Sequence, residues 1–256
     1  MIGIALNVPR EYQERVTAEL WEAATAGIAE DDERLTAFFE DDADRNALLR
    51  QFAVWEPELR EEQDRDWVAE SRDTWQPFAV GDRFWLVPEW RDDAPPAGRI
   101  RLTIQPGMAC GTGTAPATQL CLSAMEKWLP AGASVFDVGT GSGILAEAAR
   151  LLGAGTVVAC DIDHEAARIA RANVSGLAVF SGSVRSVRSA CFDAIVANLN
   201  AATLGAIAPD LVRIRRPGGL LIVSGFRPSE AAGVAAAAES NPRGTLIDSD
   251  WACLLL

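Results

Sequence analysis

Val135-Phe136-Asp137-Val138-Gly139-Thr140-Gly141-Ser142-Gly143 carries an apolar run into a glycine loop. The residues that follow, Ile144 to Leu152, have helical apolar spacing and stop at Gly153. A strand, a tight loop and a helix in that order put the loop beyond the carboxyl end of a strand, where open α/β sheets hold their ligands. Glycines let the backbone approach a ligand closely, and the start of the next helix offers unpaired N–H groups.

Downstream of the loop, strand and helix patterns alternate. Thr156 to Asp161 reads as a strand, His164 to Asn173 as a helix, and Ala178 to Phe180 and Phe192 to Ala197 as strands. Thr203 to Arg213 reads as a helix, Leu220 to Ser224 as a strand and Ser229 to Glu239 as a helix, before a closing pair at Leu246-Ile247 and Ala252 to Leu256. With Thr118 to Leu129 as a preceding helix and Ser134 to Val138 as the first strand, this predicts a Rossmann-like, doubly wound α/β fold. Its seven-stranded sheet is mostly parallel. Upstream, Ile2 to Val8 reads as a strand, Glu11 to Ala26 as a helix, Leu35 to Phe39 as a strand and Asp44 to Phe52 as a helix, a small α+β module. Residues 56–75 are charged and helix-compatible. Phe78-Ala79-Val80 and Phe84 to Pro88 form a hairpin around Gly81-Asp82, Asp92 to Gly98 is a linker, and Ile100 to Ile104 is a strand. The expected division is 1–55, a small α+β domain, 56–100, a connecting helix and hairpin with a linker, and 101–256, the α/β domain that holds the glycine loop.

The glycine spacing is G-x-G-x-G, and Ile144 stands where the dinucleotide pattern needs its last glycine, three positions after Gly141, so a nicotinamide cofactor is disfavoured. Asp137, two residues before Gly139, could pair with the cationic amino group of a methionine moiety. Asp161, at the end of the next strand, suits ribose hydroxyls. Gly139, Thr140, Gly141 and Gly143 with Asp137 and Asp161 thus point to S-adenosyl-L-methionine; the bland alternative is a tight turn with Asp161 as a helix cap.

The chain has 256 residues, 49% of them hydrophobic, enough for a buried core. No window approaches the ~20 continuous apolar residues of a membrane helix, and the N-terminus lacks the basic and apolar regions of a signal peptide, which predicts a cytoplasmic protein without membrane attachment. Five scattered cysteines, none in C-x-x-C spacing, argue against a disulfide framework and a zinc site, and the single His164 cannot build a His-rich site, so no metal is expected. The net charge of −13 sits wholly in residues 1–100, with 24 acidic against 11 basic residues, whereas residues 101–256 balance at 12 against 12. This skew disfavours direct nucleic-acid binding. It reads either as a solubilising surface or as an acidic arm for a basic protein partner.

Beyond these features, Pro106 to Leu122, with Gly111-Thr112-Gly113 at its centre, resembles the signature that precedes the core of the PrmA-type methyltransferase family, whose substrate is large-subunit ribosomal protein eleven. Further matches are Asp137 to Leu145, Asp161-Ile162-Asp163, Val196-Ala197-Asn198-Leu199 and Ser224-Gly225. Upstream, Trp67, Pro77-Phe78 and Trp85-Leu86-Val87-Pro88-Glu89-Trp90 match as well. The resemblance covers nearly the whole chain and implies that residues 1–55 are a shortened counterpart of the family's small N-terminal substrate-recognition domain. It implies a class I S-adenosylmethionine-dependent methyltransferase that modifies lysine or α-amine groups, with Gly111, Thr112 and Gly113 lining the cofactor pocket, Ile162 beside Asp161, and Asn198 next to the transferred methyl. Positioning is what methyl transfer to an amine chiefly needs, and a side-chain amide oxygen with a neighbouring carbonyl can supply it.

The sequence also departs from that pattern. Cys110 stands where the family has Phe, Ala115 where it has His and Ala117 where it has Thr. Gln105 and Ser183 replace acidic residues, and His164 replaces a proline. Two further readings follow from these changes: a methyltransferase of the same fold acting on another protein or a small molecule, or a cofactor-binding interaction module without catalysis.

Overall fold

The computed structural model describes residues 2–23, 25, 27–31, 34–39, 43–61, 75–105 and 113–256, and the chain divides into two compact units, Met1–Glu70 and Ser71–Leu256.

In the first unit, β1 (Ile2–Asn7), β2 (Gly27–Asp31), β3 (Arg34–Phe39) and β4 (Glu58–Glu61) form one sheet in the order β2-β3-β1-β4. Each pairing is antiparallel. Helices α1 (Arg10–Glu22) and α2 (Arg45–Gln51) accompany it. Asp44 caps α2 by accepting from Ala47 N. The core is a single cluster in which Ile4, Leu6, Val16, Leu20, Leu35 and Phe39 are almost wholly buried. One strand is added to the expected elements and one expectation is corrected. Gly27–Asp31 is a strand, held by its ladder to β3. Glu58–Glu61 is a strand on the free edge of β1 rather than part of the helix that the charged segment 56–75 is compatible with, because backbone pairing outweighs local preference. The 55/56 boundary therefore falls short of the last strand of this sheet. Residues 62–74, which include Trp67, lie outside the described residues.

The second unit begins with a three-stranded sheet of β5 (Phe78–Val80), β6 (Phe84–Pro88) and β7 (Ile100–Ile104). The expected hairpin is present, and β7 adds parallel to β6 from Phe84↔Ile100 to Pro88↔Ile104, so a division at 100/101 would cut through a ladder. Glu126 fixes the hairpin turn, accepting from Asp82 N at 2.8 Å and Arg83 N at 2.9 Å.

The main sheet contains β8 (Ser134–Val138), β9 (Thr156–Asp161), β10 (Ala178–Ser181), β11 (Phe192–Asn198), β12 (Arg215–Phe226), β13 (Gly244–Asp248) and β14 (Trp251–Leu255). Its order is β10-β9-β8-β11-β12-β14-β13. All pairings are parallel except those of β14, which runs antiparallel to both β12 and β13. Helices α3 (Pro116–Trp128), α4 (Ile144–Leu151) and α5 (His164–Asn173) lie on one face, and α6 (Ala201–Ile214) and α7 (Ala231–Ala237) on the other. The alternation along β8 shows how the layers are specified: Val135 joins the α3–α4 core while Phe136 joins the opposite one, stacked on Phe180 and Phe192. Strand order reverses between β8 and β11, which opens a crevice at their carboxyl ends. No helix of the described residues is long and apolar enough to cross a membrane.

Candidate active site

The crevice holds a cavity of about 710 Å³, within the range of small-molecule sites. Gly139, Thr140 and Gly141 form its floor, Asp161 and Ile162 one wall, and Asn198 the other.

Backbone geometry explains the glycines. Gly139, Gly141 and Gly143 have φ of +71°, +54° and +86°, a region that costs any side chain. A Cβ on Gly139 would lie 2.5 Å from Leu199 Cδ2, so the loop touches the far wall only because that atom is absent. Gly139 N and Thr140 N donate to Cys160 O at 2.9 and 3.0 Å, which ties the loop to β9.

Asp161 ends β9 and organises the turn. Its Oδ2 accepts from Gly141 N and its Oδ1 from Asp163 N, both at 3.0 Å. Each carboxylate oxygen keeps a lone pair for a ligand hydroxyl. Ile162 beside it is 82% exposed, an apolar side chain unburied at the mouth of a cavity.

Asp137 takes a different place from the one expected. It is 1% exposed and does not line the cavity. Its Oδ2 accepts from Thr140 Oγ1 at 2.7 Å and Ala146 N at 3.1 Å, so the side chain clamps the glycine loop onto α4. Oδ1 is buried with no partner, and burial pushes the carboxyl up to about 6. An uncompensated buried oxygen at this point is what a nearby cation would relieve.

Asn198 ends β11 and lines the cavity. Its Nδ2 donates to Thr118 Oγ1 at 3.0 Å in the first turn of α3, and Thr118 is itself buried. The amide is therefore oriented, and its Oδ1 accepts no hydrogen bond from the described residues. Gly225 lies against it: a Cβ there would meet Leu199 O at 2.6 Å and Asn198 Oδ1 at 2.9 Å.

The other expected residues divide. Gly113 packs behind the wall, where a Cβ would lie 2.5 Å from Leu86 Cδ2 and 2.9 Å from Ile144 Cδ1. Gly143 begins α4, also outside the cavity wall. Gly111, Thr112 and Cys110 lie outside the described residues. Among the departures, Ser183 lines the cavity and accepts from Arg185 N, and His164 is exposed at the start of α5. Residues not singled out also form the cavity: Ile169 from α5, and Thr203 and Ile207 from α6. Thr203 and Ile207 are four apart on one helix face, a spacing visible in the sequence, but only the crossover from β11 turns that face inward. Cys121, Cys160, Cys191 and Cys253 are free, and burial pushes the Cys160 thiol up to about 12. Among the described residues no group of His, Cys, Asp or Glu could hold a metal ion.

Together, a glycine cradle, a carboxylate with spare lone pairs and apolar isoleucine walls fit a nucleoside. Comparison with known proteins agrees. Residues 2–256 match the family described as ribosomal protein L11 methyltransferase (PrmA). The ribosomal protein L11 methyltransferase of Pseudomonas aeruginosa (strain LESB58) is 41% identical over 216 residues, which are 79% of this chain and 72% of that one. Its counterpart from Cupriavidus taiwanensis is 39% identical over 213 residues, 80% of this chain and 71% of that one. Among solved structures, a ribosomal protein L11 methylase from Lactobacillus delbrueckii subsp. bulgaricus superposes with a TM-score of 0.65 at 30% identity, covering 71% of this chain and 97% of that one.

Proposed function

This chain belongs to the ribosomal protein L11 methyltransferase family, and on that premise we propose that it methylates amino groups, lysine or α-amine, of ribosomal protein L11. It is an S-adenosylmethionine-dependent methyltransferase. The observation that carries the proposal is the oriented amide of Asn198 at the wall of the cofactor cavity.

Bound in the cavity, S-adenosylmethionine supplies an electrophilic methyl group on a sulfonium. Gly139 to Gly141 would cradle it, Asp161 would accept its ribose hydroxyls, and Ile162 would cover an apolar face. Asp137 holds the loop in shape through Thr140 and Ala146.

The acceptor amine must lose its proton before it can attack, and a free lysine at about 10.4 is almost wholly charged at neutral pH. Thr118 engages the Nδ2 end of Asn198, which leaves Oδ1 to accept an N–H of the incoming amine. An amide oxygen aligns the nitrogen without the ammonium-stabilising charge of a carboxylate, so the neutral amine remains accessible. Gly225 keeps the backbone behind this pair free of side-chain pressure.

The acidic first hundred residues supply long-range attraction for a basic ribosomal protein, and such a target puts the reaction in the cytoplasm. Calorimetric titration with S-adenosylmethionine and with NAD tests the cofactor assignment. Saturable binding of the first alone is expected; absence of binding at millimolar S-adenosylmethionine overturns it.

A further inference from the structure

The β13–β14 hairpin turns at Asp248-Ser249-Asp250-Trp251, with Asp248 paired to Trp251 and Ile247 to Ala252. Trp251 is 37% exposed and Ile247 61% exposed, and Asp248 and Asp250 are both exposed. No cation of the described residues pairs with either aspartate, and Asp248 accepts only from the neighbouring Ser249 hydroxyl. A tryptophan left open beside unpaired carboxylates on an edge hairpin marks an interaction surface, because aromatic side chains normally recover their burial.

Register fixes where this tip lies. Asn198 is level with Ser224, and Ser224 with Cys253. Because β14 is antiparallel to β12, Trp251 lies beyond Cys253 at the end of the sheet that holds the cavity. Two strand spacings across and two residues along put its Cα roughly 12 Å from that of Asn198. Residues two apart in a strand share a face, and Cys253 belongs to the cluster that includes Cys121 and Met125 of α3. Trp251, and Asp248 opposite it, therefore face the α3 side, on the helix whose first turn holds Asn198 through Thr118.

We propose that Trp251 and Asp248, with Asp250 at the turn, form a docking surface for a lysine or arginine three or four residues from the methylated amine in an extended protein substrate. An extended chain covers ~3.3–3.6 Å per residue, so a side chain three or four positions away reaches the tip while the acceptor amine is at Asn198. A cation there lies over the indole ring and against the Asp248 carboxylate on the same face, a combination that gains from both contacts. The surface belongs to the catalytic unit itself, so it selects sequence around the acceptor. This inference rests on the protein-amine reading of the site.

Steady-state methylation of purified ribosomal protein L11 by wild type, Trp251→Ala, Trp251→Phe and Asp248→Asn tests it, with folding checked by thermal melts and cofactor affinity by calorimetry. The expected result is a KM for L11 raised about 3- to 30-fold in Trp251→Ala and Asp248→Asn. Turnover number and S-adenosylmethionine affinity stay unchanged, and Trp251→Phe restores much of the loss. Added salt should raise the wild-type KM towards that of Asp248→Asn. If wild type methylates L11 and both disruptive variants keep its KM within twofold, the docking surface is overturned alone. If wild type leaves L11 unmethylated, the substrate reading is overturned and the surface with it.

Discussion

Asn198 and Thr118 are eighty residues apart in sequence, and the amide of the first donates to the hydroxyl of the second at 3.0 Å. That bond turns a residue at a strand end into an oriented acceptor, since a buried threonine hydroxyl can hold only one end of the amide. Removing either partner separates binding from chemistry. Asn198→Ala should keep S-adenosylmethionine affinity within about threefold and lower single-turnover methylation by about 10²-fold or more, the scale of a lost transition-state contact. Thr118→Val should keep the shape, free the amide to rotate and fall between. Full activity in Asn198→Ala would remove it from the mechanism.

Gly139→Ala places a methyl 2.5 Å from Leu199 Cδ2 at a φ of +71°. The loop must retreat from the far wall, so both stability and cofactor affinity should fall. Thermal or denaturant unfolding should show a loss of about 1–3 kcal/mol, and calorimetry a weaker Kd. The same change at Gly132, which has open space around it, should cost only its backbone strain and leave the cofactor Kd alone.

Asp161→Ala removes the acceptor of Gly141 N and Asp163 N together with the ligand-facing lone pairs. Cofactor affinity should drop at least tenfold by calorimetry. Asp161→Asn retains an oxygen for one N–H and should lose less.

Asp137 makes the protein's stability depend on pH in an unusual direction. Burial raises its carboxyl from 3.8 to about 6, so between those values the folded state binds the proton more tightly than the unfolded state. Its contribution is complete below 3.8 and is lost as pH rises through about 6. Relative to Asp137→Asn, wild type should lose up to about 3 kcal/mol between pH 4 and pH 7, measured by denaturant unfolding at each pH. A difference that instead grows with pH would contradict the role given to burial.

The glycine loop, Asp161 and the order of strands and helices after Ser134 were legible because each is a local pattern: glycine spacing, a carboxylate at a strand end, alternating periodicity. Glu58–Glu61 was not, because its charged side chains favour no strand and only pairing with β1 makes it one. Gly27–Asp31 was hidden because it opens on a helix-stopping glycine and ends on two acidic residues, and only its ladder to β3 makes it a strand. The position of Asp137 suggests an acceptor for a ligand's amino group, whereas its Oδ2 is held by Thr140 and Ala146 and the residue does not line the cavity. Ile169, Thr203 and Ile207 reach the cavity only through the packing of α5 and α6, which no local spacing reports.

Methylation of ribosomal protein L11 is the central claim, and intact-mass and peptide mass spectrometry of purified L11 after incubation with the chain and S-adenosylmethionine tests it most directly. Whole-methyl mass increments are expected on lysine side chains or the α-amine, absent without cofactor and lost with Asn198→Ala. L11 that keeps its mass, while the chain binds S-adenosylmethionine, would contradict it.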